Sequence, residues 1–384
     1  MAIAVAPAIA SGSKTKIVYI DHIKVILIIL VVLHHTFITY GAPGGWYYYQ
    51  KTTNEVAKGI MTFFVATNQS FFMGFFFFLS AYFIPASLEK KGPAKFIKDR
   101  LVRLGIPLAF YSLVLSPVLN YIVEHYGYGR HHSFIEYMSG YHHWIDFGVL
   151  WFVAALLLFT LLYVGWDSLT NNNVSKPIPS PGLGKIMLFA AILGLISFLV
   201  RLVFPVGWVL QPVGFQLGHF TQYIALFAMG ILASKNKWPD GISRKQGINA
   251  RRIAALFGVL VFILFYIMLA ALRFPGSWFS GGFHLPAFLY AMWEQVTGIA
   301  IMTAFIGLGK QGLNNPSPLW SGLSRSAFAV YIFHPLVVVG IALLASPIQI
   351  DPALKLLFAA PLAVICSFLL GSLIIAVPGV KRIV

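Results

Sequence analysis

The chain reads as an all-α integral membrane protein with about ten transmembrane helices and both termini cytosolic. Three observations predict this: composition, the spacing of apolar runs, and the placement of basic residues. Of 384 residues, 59% are hydrophobic and only 10% charged, and the mean hydropathy is +0.81; soluble domains carry roughly 25% charged residues. Apolar runs fall at 20–40, 59–84, 102–123, 148–166, 186–204, 216–234, 252–272, 286–308, 324–345 and 355–377. Most approach the ~20 residues that cross ~30 Å of hydrocarbon, with 148–166 and 186–204 the shortest. With both ends inside, the cytosolic set holds twenty lysines and arginines, from Lys14 and Lys16 to Lys381 and Arg382, while the outer loops hold Lys51, Lys58, Arg130 and Arg273. That bias satisfies the positive-inside rule. The net charge of +16 is therefore a topology signal. It does not mark a nucleic-acid surface, because the bases are divided among short loops with no domain to present them.

The start, MAIAVAPAIASGSKTK, is apolar and then basic, the reverse of a secretory signal. Residues 1–19 read as a short cytosolic tail and 20–384 as one transmembrane domain. Cys366 is the only cysteine, so disulfides within the chain and cysteine-ligated metal sites are excluded.

Between spans, the run AKFIKDRLVRLGIP has helical spacing and predicts a helix entering near Pro93. The longest outer segment, 124–147, holds His125, His131, His132, His142 and His143 among aromatics. No HExxH or other ligand frame accompanies them, so the segment reads as an interfacial loop with aromatic anchors and no metal is predicted. Residues 167–185 form a polar cytosolic linker. Glu136, Asp146 and Asp351 read as loop acids.

The first span, DHIKVILIILVVLHHT at 21–36, carries the sharpest signal. Lys24 and His35 are eleven residues apart, which leaves them about 20° out of register on one helix face and roughly 16 Å apart along the axis. Asp21 lies on the same side, about 40° from His35, while His34 points about 100° away. Titratable groups in hydrocarbon are costly and face a bundle interior, a cavity or each other. A neutral histidine held by a hydrogen bond is one reading of His35. A general base is the other, because imidazole titrates near neutrality and takes protons from hydroxyls.

At these residues the chain resembles the membrane-bound acyltransferase 3 family, whose first helix carries a basic residue followed after ten residues by a histidine. Here the basic residue is Lys24, where arginine is commoner. Further matches follow in order: NQSFFMGFFFFLSAYF at 68–83, KDRLVRLGIPL at 98–108, LWFVAALLLF at 150–159, QYIALFAMGILA at 222–233 and SRSAFAVYIFHPLVV at 324–338. The LWF, QYxxxFxxG and YxxHP segments resemble the branch that includes glucan-modifying succinyltransferases.

The resemblance implies transfer of an acyl group, acetyl or succinyl, from cytosolic acyl-coenzyme A to a hydroxyl of a glycan or small acceptor. It implies a location in the cell membrane, plasma or inner. His35 would activate the acceptor, with Lys24 and Asp21 in the same stripe. Lys98, Arg100 and Arg103 would hold the coenzyme's phosphates, acyl-coenzyme A being a substrate and not a tightly bound cofactor. Gln69, Tyr82, Arg201, Glu294, Tyr331 and His334 are candidates for the acceptor cavity or for structural roles. Arg201 would line that cavity or snorkel to the interface; His334, before Pro335, would bond irregular backbone or act as a second catalytic group; Glu294 would orient a histidine or pair with a base. GxSxG is absent, which favours direct transfer over a covalent intermediate. A transporter or flippase of a polar or acylated solute is the rival reading, since these same residues would also serve a solute path. Acceptor identity and oligomeric state stay open.

Overall fold

The structure is a computed structural model that describes residues 17–170, 177–380 and 383. Most of the tail at 1–19, with Lys14 and Lys16, lies outside the described residues, as do Lys176, Lys381 and Arg382. Among the described residues ten helices are long and apolar enough to cross a membrane, and the chain is an all-α multi-pass membrane protein. They are α1 (Val18–Tyr40), α2 (Glu55–Lys91), α3 (Pro93–Gly127), α4 (Gly148–Thr170), α5 (Leu183–Arg201), α6 (Leu217–Asn236), α7 (Arg244–Ala270), α8 (Leu285–Gly312), α9 (Pro318–Leu344) and α10 (Pro352–Ala376).

The loops sort into two clusters, as alternating spans require. On the face that holds the basic loops, the Ile178 amide donates to the Asn236 side chain (2.6 Å), the Trp238 indole donates to the Ile178 carbonyl (2.9 Å), and Lys310 donates to the carbonyls of Asp240 and Ile242 (both 2.9 Å). On the opposite face Gln50 donates to the Ala342 carbonyl (2.7 Å) and Thr52 to Asp351 (2.8 Å), while buried Lys355 reaches Gln50 (3.0 Å) and the Ala345 carbonyl (2.9 Å). Loop 41–54 is thereby pinned across the outer ends of α9 and α10.

Helix α1 runs through the interior, packed on α2, α8, α9 and α10. Helix α7 lies at the periphery, with Leu256, Leu260, Ile263 and Tyr266 facing outward, where lipid solvates them as well as protein would.

Two spans differ from the uninterrupted helices that their apolar runs suggest. Helix α2 breaks at Ser70–Phe71, where Phe71 takes φ −136° and ψ −34°, and again at Phe83. Helix α3 enters at Pro93 and loosens into π turns at Leu101–Gly105, Tyr111–Leu115 and Val123–Gly127. The outer segment is also more ordered than an anchoring loop: Ser133 and Glu136 form a reciprocal capping box for a short helix, Phe134–Ser139. The three loop acids are caps and anchors, with Glu136 in that box, Asp351 capping α10 and Asp146 accepting from Ser116 and the Gly148 amide.

The α2 break is held by close approach of α8. A Cβ added to Gly298 would lie 1.9 Å from the Ser70 carbonyl oxygen, so only glycine lets the two backbones meet. The side chain of Gln222 donates to the same carbonyl (2.7 Å), which satisfies a group that the break has freed inside the membrane. Gly298→Ala is therefore expected to force the helices apart and cost about 1–3 kcal/mol, read as a lower unfolding temperature in detergent; an unchanged temperature would mean that the break relaxes freely.

Candidate functional site

The outer half of α1 presents its two histidines to different partners. His34 is buried and stacks on Phe72 (4.9 Å between ring centres), and the Asn68 amide donates to the Leu30 carbonyl (3.0 Å) and meets His34 Nδ1 (3.3 Å). His34 thus anchors α1 to the broken part of α2. His35, partly buried, faces α9: its Nδ1 lies 3.0 Å from His334 Nε2, and its ring stacks on Trp46 at 4.1 Å.

The tautomers follow from the chain of partners. His334 Nδ1 lies 2.8 Å from the Tyr331 carbonyl, which only accepts, so Nδ1 carries the proton and neutral His334 offers Nε2 as an acceptor. His35 must then donate from Nδ1, and its Nε2 is left with a free lone pair. An imidazole oriented by a second group through one nitrogen, with the other unprotonated, is the arrangement of a general base. His334, fully buried, is both the histidine bonded to the backbone before Pro335 and the direct partner of His35.

A layer of tyrosines lies beside this site: the ring of Tyr331 is 6.1 Å from that of His334, and Tyr47 lies 5.2 Å from Trp46. The Tyr47 and Tyr111 hydroxyls are 2.6 Å apart, and the Tyr331 hydroxyl donates to the Val149 carbonyl. Gly148 makes the layer possible. It sits at φ +43°, and a Cβ there would come within 2.2 Å of the Tyr47 hydroxyl.

Asp21 and Lys24 are not brought to His35. They sit at the other end of α1, paired at 3.9 Å, with the Lys24 ammonium 4.5 Å from the centre of the Phe83 ring. Along one straight helix Lys24 stands roughly 16 Å from His35 and Asp21 roughly 21 Å. Tyr82, beside Phe83 (5.3 Å), belongs to this basic end as well, away from any outer acceptor cavity. At the same end Arg100 lies over the Phe96 ring (4.9 Å), Arg103 and Lys98 are exposed, and Lys91 pairs with Asp99 (2.5 Å).

A second polar centre is buried among α2, α5, α6 and α8. Arg201 is fully buried and does not snorkel. Its guanidinium binds Glu294, lies 3.2 Å from His219 Nδ1 and donates to the Gly218 carbonyl at 3.0 Å. The other Glu294 oxygen is 3.0 Å from His219. Gln295 donates to Glu294 (3.2 Å), Gln222 donates to Gln295 (2.9 Å), and Gln69 donates to the Tyr223 hydroxyl (3.0 Å). The residues at the α2 break tie the two centres together: Asn68 contacts His34, Gln69 contacts Tyr223, and the Ser70 carbonyl accepts from Gln222. His219, Gln222 and Tyr223 were missed in the sequence, yet at i, i+3 and i+4 they form one polar face on a membrane helix, a legible signal. Trp46 gave none, since a loop tryptophan reads as an interfacial anchor.

Among the described residues no group of three or more His, Cys, Asp or Glu side chains is placed to hold a metal ion. Among models of protein families, that of an acyltransferase domain, acyltransferase 3, matches residues 17–372. No curated protein and no solved structure matches the chain.

Removing Glu294 would leave Arg201 charged and unpaired in the interior. Glu294→Ala is expected to cost about 3–5 kcal/mol, and a Glu294→Leu/Arg201→Met pair much less, both read by thermal unfolding in detergent. Equal losses in the two variants would mean that the pair is held by packing alone.

Proposed function

The chain belongs to the acyltransferase 3 family, a family of membrane acyltransferases, and from that premise we propose that it transfers an acetyl or succinyl group from acyl-coenzyme A to a hydroxyl of a glycan or other acceptor. The membrane is the cell membrane, plasma or inner, with the basic face toward the cytosol. The observation that carries this reading is the His35–His334 hydrogen bond, because it leaves His35 Nε2 free to accept a proton.

The acceptor hydroxyl loses its proton to His35 Nε2 as its oxygen attacks the thioester carbonyl. The tetrahedral intermediate collapses, the carbon–sulfur bond breaks, and the leaving coenzyme thiolate takes the proton from His35. His334 Nε2 holds the Nδ1–H of His35 throughout and steadies the imidazolium while it exists. The acceptor enters from the outer face, where His35 lies. The donor enters from the basic face: the coenzyme is anionic, and Lys98, Arg100 and Arg103 at the α3 entry supply charge-assisted phosphate donors, with Asp21 and Lys24 at the inner end of α1 bordering its path. The polar centre acts as a brace, since Arg201 and Glu294 already bind each other and Gln69 is held by Tyr223.

His35→Ala is expected to lower turnover by roughly 10²–10⁴-fold, the usual worth of a general base, with binding of acyl-coenzyme A retained. His334→Gln keeps an acceptor near the Nε2 position and should retain most of the activity that His334→Ala loses, at equal KM for the donor. Equal loss in both His334 variants would count against the orienting role. Arg100→Ala/Arg103→Ala should instead raise the donor's Kd by about tenfold or more, one charge-assisted hydrogen bond being worth ~1.5–3 kcal/mol. Wild-type protein that binds no acyl-coenzyme A would overturn the reading.

A further inference from the structure

A slot of about 150 Å³ lies between α5, α6 and α8 at the basic face. Ile186 and Phe189 of α5, Met229 of α6 and Ile299, Met302 and Ile306 of α8 line it. The α8 residues are buried and form its floor, while those of α5 are half-buried and form its lip. From Ile299 to Ile306 the floor runs roughly 10 Å along the helix axis, the direction in which lipid chains lie. The proposed reaction uses none of these residues.

The slot has nothing to offer a polar ligand. Three polar side chains reach its lining, and two of them are engaged: the Thr303 hydroxyl donates to the Ile299 carbonyl (2.8 Å) and the Trp238 indole to the Ile178 carbonyl (2.9 Å). An apolar void of this size stays dry and takes an apolar guest. Trp238 also marks the depth, because tryptophan collects at the headgroup level of a bilayer.

The third polar residue, Lys185, is exposed at the lip. Arg244 and Lys245, also exposed, open α7 beside it: the next residue, Gln246, donates to the carbonyl of Pro181 in the slot wall (3.3 Å). Acids of this face serve other bases, Asp21 pairing with Lys24, Asp99 with Lys91 and Asp167 with Lys235. Among the described residues no carboxylate pairs with Lys185, Arg244 or Lys245, so the mouth of a wholly apolar slot carries uncompensated positive charge.

We propose that this slot is a lipid site, holding one chain of an anionic phospholipid from the leaflet beside the basic loops, with the phosphate over Lys185 and Lys245. Both features are needed, since the slot alone would take any lipid chain and the bases alone any anion. The site stands independently of the acyl-transfer reading. A chain seated there touches α5, α6 and α8, the helices that carry Arg201, His219 and Glu294, and binding to the folded bundle alone stabilises it by mass action.

The test is native mass spectrometry of the purified full chain in detergent, titrated with dioleoyl phosphatidylglycerol and with zwitterionic dioleoyl phosphatidylcholine. Wild type is expected to hold one phosphatidylglycerol more tightly than phosphatidylcholine. Lys185→Gln/Lys245→Gln should raise the Kd of the anionic lipid about tenfold or more and leave that of the zwitterionic lipid unchanged. Met229→Trp, which fills the slot, should weaken both. Equal affinity of wild type for the two lipids would overturn the anionic class. Undiminished binding by Met229→Trp would overturn the location, leaving charge at the surface alone. Displacement of the lipid by acyl-coenzyme A would assign the slot to the donor and overturn the proposal as well. Lys185 and Lys245 are exposed, so the charge variant decides even where Met229→Trp fails to fold.

Discussion

Inside hydrocarbon no water answers a polar group, so the polar side chains of this bundle depend on partners in the protein: Thr36, Thr160 and Thr303 use carbonyls of their own helices, and the larger groups reach other helices. The Arg201–Glu294–His219 cluster meets that constraint for most of its atoms, although Arg201 Nη1 and Glu294 Oε1 make no hydrogen bond among the described residues. Three groups from α5, α8 and α6 bind each other, and Gln295 and Gln222 extend the set to the freed carbonyl of Ser70. Such a cluster adds little net stability over a well-packed apolar core, but it penalises any arrangement that separates its members. It therefore specifies how three helices meet more than it glues them together.

The same constraint explains the break in α2. A helix interrupted within the membrane exposes backbone groups, and this is tolerable only where protein surrounds them. Here Gly298 brings α8 against Ser70, and Gln222 supplies the missing donor. The interruption presents Asn68, Gln69 and Ser70 to three different neighbours. It connects the buried ion pair to the side of α1 that carries His34, so support for the histidine pair extends through several helices.

Much of the architecture was legible because hydropathy is additive along the chain. All ten apolar runs are helices, including the two shortest, and Pro93 does open a helix. The breaks were not legible: TNQS at 67–70 is only a short polar interruption of an apolar run, and no proline or paired glycine marks the bend. At the site, His35, His334, Glu294 and Arg201 stood out as polar residues in apolar surroundings, but their partners did not. Periodicity placed Lys24 and His35 on one face, and the structure retains that register while the axial distance holds them in separate environments.

The sequence by itself determined the class of the protein, the number of apolar spans and the polar positions on α1, because each follows from local composition and helical geometry. Only the tertiary structure decided that His35 meets His334 across 299 residues, that Arg201 is buried with Glu294 instead of reaching the interface, and that Asp21, Lys24 and Tyr82 stand apart from the histidines. These depend on which helix faces pack together. In a membrane, where every helix is apolar nearly all round, that choice is made by a few polar pairs and close glycine contacts between residues far apart in the chain.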